Sequence, residues 1–110
     1  MKVLIVGLGV QGQKRKKLLN KKFVFATVDN KNIRADYKNI KDVPLDKYDS
    51  VFVCTPDSEK FKILNYCIKN KKNALIEKPL VANSEIKIKK LEIKANKENL
   101  VFYSAYNHRF

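Results

Sequence analysis

A chain of 110 residues that is 45% hydrophobic is long enough to bury one core and too apolar to remain disordered. No apolar run approaches the roughly 18 residues a spanning helix needs, and a single histidine with two separated cysteines offers no zinc-binding set. The formal net charge is +13, but the lysines are spread along the chain without interleaved aromatics, so solvated helix faces are expected rather than a nucleic-acid surface.

Lys2 to Val6 is a short Val/Leu/Ile run of the kind found in buried parallel strands. It leads straight into Gly7-Leu8-Gly9-Val10-Gln11-Gly12, a G-x-G-x-x-G. In that pattern Gly7 lets the chain turn off the strand and Gly9 lets the backbone approach a pyrophosphate. Gly12 lets the next helix pack closely on the sheet. The free N–H groups of the first helical turn favour an anion there. The helix is expected over about Val10 to Asn20, with Leu18 and Leu19 inward and Lys14 to Lys17 outward.

Phe23 to Val28 reads as a second strand ending at Asp29, seventeen positions after Gly12. That is close to the spacing of about 20 for an acid that binds the adenosine ribose. Asp29, with Asn30 beside it, is the expected ribose partner, and a carboxylate there repels a 2′-phosphate, which favours NAD over NADP. Arg34, close behind, keeps NADP open.

The polar stretch after Asp29 carries one short turn or helix around Lys38 to Val43, ended by Pro44. Ser50 to Cys54 is the next buried strand, and Pro56 takes the chain out of the sheet. Asp57 or Ser58 is expected to cap a helix carrying Phe61, Leu64 and Ile68 on one face. Asn73 to Ile76 is a short strand followed by Glu77-Lys78-Pro79. Asn83 or Ser84 is expected to cap a second helix with Ile88, Leu91 and Ala95 on its inner face. Ile86/Ile88 and Leu91/Ile93 also fit a period of two, and the Lys and Glu between them decide for helix. Leu100 to Ser104 is a last strand before Ala105 to Phe110.

Strands alternating with helices imply an α/β fold: a Rossmann-type doubly wound parallel sheet in three α/β/α layers, ordered 3-2-1-4-5-6 or a part of it. Residues 1–110 then form one dinucleotide-binding domain. Cys54-Thr55-Pro56, Glu77-Lys78-Pro79 and the segment from Ala105 all follow strands and are expected along the edge where a dinucleotide lies. Cys54 and Cys67 read as reduced, buried thiols of a cytoplasmic protein, and no metal site is expected.

Taken together, GLGVQG, VCTPD, IEKPL and AYNHRF resemble, in order and spacing, the Gfo/Idh/MocA family of NAD(P)-dependent oxidoreductases. The resemblance implies hydride transfer between nicotinamide and a hydroxyl or carbonyl of a sugar, sugar nucleotide or inositol-like substrate. It implies that Lys78 is the catalytic lysine, that Glu77 touches the nicotinamide end or orients Lys78, and that Pro79 fixes the backbone. Thr55 and Pro56 would line the cofactor's ribose and nicotinamide portion. Asn107 and Arg109 would stand at the mouth of the site. Leu8, Val10, Gln11, Cys54 and Asn30 complete the expected cofactor-binding set.

Two departures from the family pattern stand out. Lys60 occupies a place where the family often has histidine. The family's second α/β domain, which supplies most substrate contacts and sets a homo-oligomer, is absent from this sequence. The chain by itself is therefore expected to bind cofactor without turnover. A stand-alone dinucleotide-binding or sensing module is the alternative. Neither nucleic acid nor a membrane is an expected partner.

Overall fold

Five short runs, most of them rich in Val, Ile and Phe, pair into one sheet. In the computed structural model of the chain the described residues are 2–7, 23–77 and 82–105, the side chains of Ala82 and Ala105 excepted. The strands are β1 (Val3–Val6), β2 (Val24–Val28), β3 (Ser50–Val53), β4 (Asn73–Glu77) and β5 (Phe102–Ala105). They lie in the order β2-β1-β3-β4-β5, and every neighbouring pair is parallel. The order is the expected 3-2-1-4-5-6 without its third strand. In that strand's place beyond β2 there is a single parallel bridge, Val28 to Tyr37.

Two helices follow the apolar spacing. Helix α1 spans Asp57–Lys69 and α2 spans Ala82–Lys97. The expected cap of α1 is not the observed one. Pro56 is the N-cap residue of α1, and no side chain caps it, so Asp57 and Ser58 lie within the first turn. Proline there fixes the backbone geometry that a capping side chain would otherwise stabilise. Asn83 and Ser84 fall inside α2 rather than before it. Both helices end with a non-glycine residue of positive φ just beyond them, Lys71 at 59° and Asn99 at 61°. Lys72 N–H and Leu100 N–H then reach back to the Cys67 and Ala95 carbonyls, at 2.8 and 2.9 Å.

The main core lies on the sheet face that α1 and α2 cover. Leu4, Val6, Val28, Val51, Val53 and Ile76 meet Leu64 and Cys67 of α1 and Ile88 of α2. The link from β2 to β3 contains no α-helix. Two 3-10 turns, Ile40–Asp42 and Leu45–Lys47, carry it, and Ile40, Val43 and Tyr48 pack onto the same face. On the other face Val3, Ile5 and Phe52 form a second buried cluster. The helix expected over Val10 to Asn20 lies outside the described residues. Among the described residues no helix is long and apolar enough to cross a membrane.

The ambiguous spacing in α2 resolves in space. Ile88 is 1% exposed, whereas Ile86 and Ile93 are 57% and 60% exposed. The pattern is helical, and the period-two neighbours point outward. Ile88→Ala is expected to lower stability by about 2–5 kcal/mol, and Ile86→Ala to change it by less than about 0.5 kcal/mol. Urea unfolding of the two variants measures both. The core also fixes an alkaline limit. Burial pushes the Cys67 thiol from 9.0 up to about 12, against the pull of Lys72. Below pH 9 the thiol is protonated both folded and unfolded and its contribution is intact. As pH rises from about 9 towards about 12 only the unfolded chain ionises, so stability is expected to fall across that window. Urea midpoints at pH 8 and pH 10.5 check this.

Candidate functional site

Parallel strands in register bring their carboxyl ends to one edge. Val6 is level with Val28 on one side and Val53 on the other, Val53 with Ile76, and Glu77 with Ala105. The residues that follow therefore line a single row: Gly7, Asp29, Cys54-Thr55, Glu77 and Ala105. β2 and β3 lie on opposite sides of β1, so the strand order reverses here, which is where doubly wound sheets hold their ligands.

Gly7 sits at the centre of that row. Its N–H donates to the Val28 carbonyl at 2.8 Å, and the Cys54 N–H donates to the Val6 carbonyl at 2.8 Å. Its φ is +97°, and a Cβ built on it would lie 2.8 Å from both C and O of Cys54 and 3.0 Å from the Thr55 nitrogen. Only glycine allows β1 and β3 to leave the sheet this close together.

On one side of Gly7 lies Asp29. Its Oδ1 accepts from the backbone N–H of Lys31 at 2.8 Å and of Asn32 at 3.1 Å. The carboxylate is thus aimed by its own loop. Asn30 follows it, exposed, and Ile33 on the same loop is 92% exposed, an apolar surface beside a charged one.

On the other side lie Thr55 and Glu77. The Thr55 Oγ1 is buried and has no hydrogen-bond partner among the described residues. Glu77 is 4% exposed at the end of β4. Cys54 is half-buried rather than buried, because it lies one residue past the end of β3, and Pro56 is exposed. Neither cysteine forms a disulfide.

Of the expected site residues, the structure brings Gly7, Asp29, Asn30, Cys54, Thr55, Pro56 and Glu77 to one edge. Leu8, Gly9, Val10, Gln11, Gly12, Lys78, Pro79, Asn107 and Arg109 lie outside the described residues.

Two features were not legible beforehand. Lys60, in the first turn of α1, is 3% exposed, and its Nζ lies 2.9 Å from Asp57 Oδ1. A buried ammonium at a helix N-terminus opposes the helix dipole, and Asp57 offsets that. Asp36 binds β2 through Thr27; its only sequence signal was a polar threonine inside an otherwise apolar strand.

These residues fit a dinucleotide. Gly7 admits the close approach of β1 and β3, Asp29 offers an acceptor for ribose hydroxyls, and the Thr55 hydroxyl has no partner among the described residues. Among the described residues no group of three or more metal-ligating side chains comes together.

Comparison with known proteins agrees. A family model described as "Oxidoreductase family, NAD-binding Rossmann fold" matches residues 1–106. No curated protein matches the chain. Among solved structures, GenD2 from gentamicin A biosynthesis in complex with NAD superposes with a TM-score of 0.76 at 23% identity, over 96% of this chain and 34% of that one. Scyllo-inositol dehydrogenase from Lactobacillus casei, with bound NAD(H) and scyllo-inositol, gives 0.72 at 19% identity, over 94% and 35%. UDP-N-acetylglucosamine 3-dehydrogenase GnnA from Acidithiobacillus ferrooxidans gives 0.71 at 18% identity, over 96% and 38%. At these identities the likeness shows the fold. The chain spans about a third of the length of these structures.

Gly7→Ala is expected to cost about 1–3 kcal/mol from the backbone conformation alone, with the Cys54 collision added. Thermal unfolding reads that loss, and a fluorescence titration with NADH is expected to show weaker binding by the folded fraction.

Proposed function

The chain belongs to the Gfo/Idh/MocA oxidoreductase family, and from that premise we propose that it is the cofactor-binding half of an NAD-dependent dehydrogenase whose substrate is a sugar, sugar nucleotide or inositol-like molecule. The observation that carries this reading is the row of Gly7, Asp29, Thr55 and Glu77 along the carboxyl edge of a parallel sheet.

Each residue has a part in it. The Asp29 carboxylate accepts hydrogen bonds from the adenosine ribose and repels a 2′-phosphate, so NAD is preferred to NADP. Ile33 offers the adenine an apolar surface. The Gly7-Leu8-Gly9-Val10-Gln11-Gly12 motif would hold the pyrophosphate, as glycine-rich turns before a helix do. The Thr55 hydroxyl would bind the cofactor's ribose and nicotinamide portion, and Glu77 would touch the nicotinamide end or orient Lys78.

When bound, the nicotinamide carries the hydride to or from the substrate carbon. Lys78 stabilises the developing alkoxide and takes or returns the hydroxyl proton. Substrate contacts are assigned to residues outside these 110, which span about a third of the length of the matched structures. The 110 residues then bind cofactor and do not turn over sugars.

A fluorescence titration with NADH and with NADPH, each at low and high salt, tests this. Saturable binding that prefers NADH and persists at high salt is the expected outcome. Asp29→Ala is expected to weaken NADH binding about tenfold, the loss of roughly one charge-assisted pair of hydrogen bonds, and to narrow the preference over NADPH. Equal affinity for the two cofactors in the parent chain argues against the role given to Asp29. Binding that collapses with salt points instead to the +13 net charge.

A further inference from the structure

β2 is an edge strand, and its outer backbone groups need partners other than a sixth strand. They find them in residues 36 and 37. Thr27 N–H donates to Asp36 Oδ2 at 2.9 Å, and the Thr27 hydroxyl donates to the same oxygen at 3.1 Å. Asp36 N–H donates back to Thr27 Oγ1 at 3.1 Å. Tyr37 N–H donates to the Thr27 carbonyl at 3.0 Å, and the Tyr37 carbonyl accepts from the Asp29 N–H at 3.0 Å. Thr27 itself is 1% exposed, so this clasp is anchored in the core rather than on the surface.

The clasp closes the segment that aims Asp29. Between its two ends on β2 the chain makes one turn after another. Asp29 Oδ1 holds Lys31 and Asn32 N–H, and Asn32 Oδ1 holds Arg34 N–H at 2.9 Å. The Asn32 carbonyl accepts from Ala35 N–H at 3.2 Å. Without Asp36 the far end of the loop keeps the Tyr37 backbone bonds and the packing of Ala35 and Tyr37 on the core, but it loses the side-chain tie to Thr27 that fixes its register beside the Asp29 turn.

We propose that Asp36 is the positioning residue of the dinucleotide's adenosine end: by fastening the loop to Thr27 it holds the Asp29 carboxylate in place, and so sets both dinucleotide affinity and discrimination against a 2′-phosphate. Asp36 does not touch the cofactor. The proposal rests on Asp29 being the ribose partner.

The test uses Asp36→Ala and Asp36→Asn in the same chain, with Asp29→Ala as control. The first readout needs no cofactor: amide hydrogen exchange at Asp29, Lys31 and Asn32, set against Ile5 and Val53 in the core. Asp36→Ala is expected to speed exchange at the three loop amides by about tenfold or more and to leave the core pair unchanged. The second readout is NADH and NADPH titration. NADH affinity is expected to fall about tenfold in Asp36→Ala, with NADPH affinity falling less. Asp36→Asn, which keeps one oxygen for both Thr27 donors, is expected to recover most of both effects.

Unchanged loop exchange, or exchange that rises equally in loop and core, overturns the proposal. So does an equal loss of NADH and NADPH binding. Asp29→Ala separates this inference from the reading beneath it. If that variant binds NADH as tightly as the parent, the ribose assignment falls and takes the inference with it. If it loses NADH while Asp36→Ala keeps it, only the inference falls.

Discussion

Where β1 and β3 leave the sheet, the backbone of Gly7 lies against the backbone of Cys54 and Thr55. No side chain fits in that gap, since a Cβ would lie 2.8 Å from the Cys54 carbonyl group. The two strands are therefore held at contact distance at the place where the chain's path through the sheet reverses. Everything else at this edge takes its position from that approach. The β1–β2 pairing sets Asp29 on one flank, and the β3–β4 pairing sets Glu77 on the other. Thr55 lies between them with a buried hydroxyl that the described residues leave unspent. A shift of one residue in any of these pairings would move that strand's side chains to the opposite face of the sheet and displace its end along the edge.

The sheet stays narrow on the β2 side by unusual means. A longer doubly wound fold places a further strand there, and this chain places a loop that bonds to the same edge groups. Asp36 and Tyr37 supply what a strand would have supplied to Thr27. The edge is thus blunted against pairing with other chains. The same bonds brace the corner that carries Asp29. On the far side β5 is plainer. Val101, just before it, and Tyr103, within it, are 65% and 62% exposed.

The helices show how little of their stability lies in local signals. The first lacks the capping side chain its sequence suggests, and both end through a residue of positive φ that is not glycine. With few glycines in the chain, lysine and asparagine take that conformation, and the six-residue backbone bond that closes each helix offsets its cost. Packing holds the helices instead. Leu64, Cys67 and Ile88 are each at most 1% exposed.

The sequence alone determined the strands and their order, because short runs of Val, Ile and Leu bury on both faces only in a parallel sheet. It marked Gly7 at the turn off β1 and Asp29 just after β2 as well, because a positive-φ turn and a strand end are marked by particular residue types. The inner face of α2 was also legible: although Ile86 and Ile93 matched a strand's period, charged neighbours favoured the helix. The tertiary structure decided what depends on residues distant in the chain. Thr27 and Asp36 carry no shared pattern, and only the path of the loop brings them to 2.9 Å. Lys60 reads as a surface lysine until the fold buries it beside Asp57. Glycine's role at Gly7 was foreseen as a sharp turn, but the close approach to Cys54 arises only when β3 inserts next to β1. Local patterns encode what a residue does for its own element. Contacts across the sheet are set by topology, and a linear sequence states topology only indirectly.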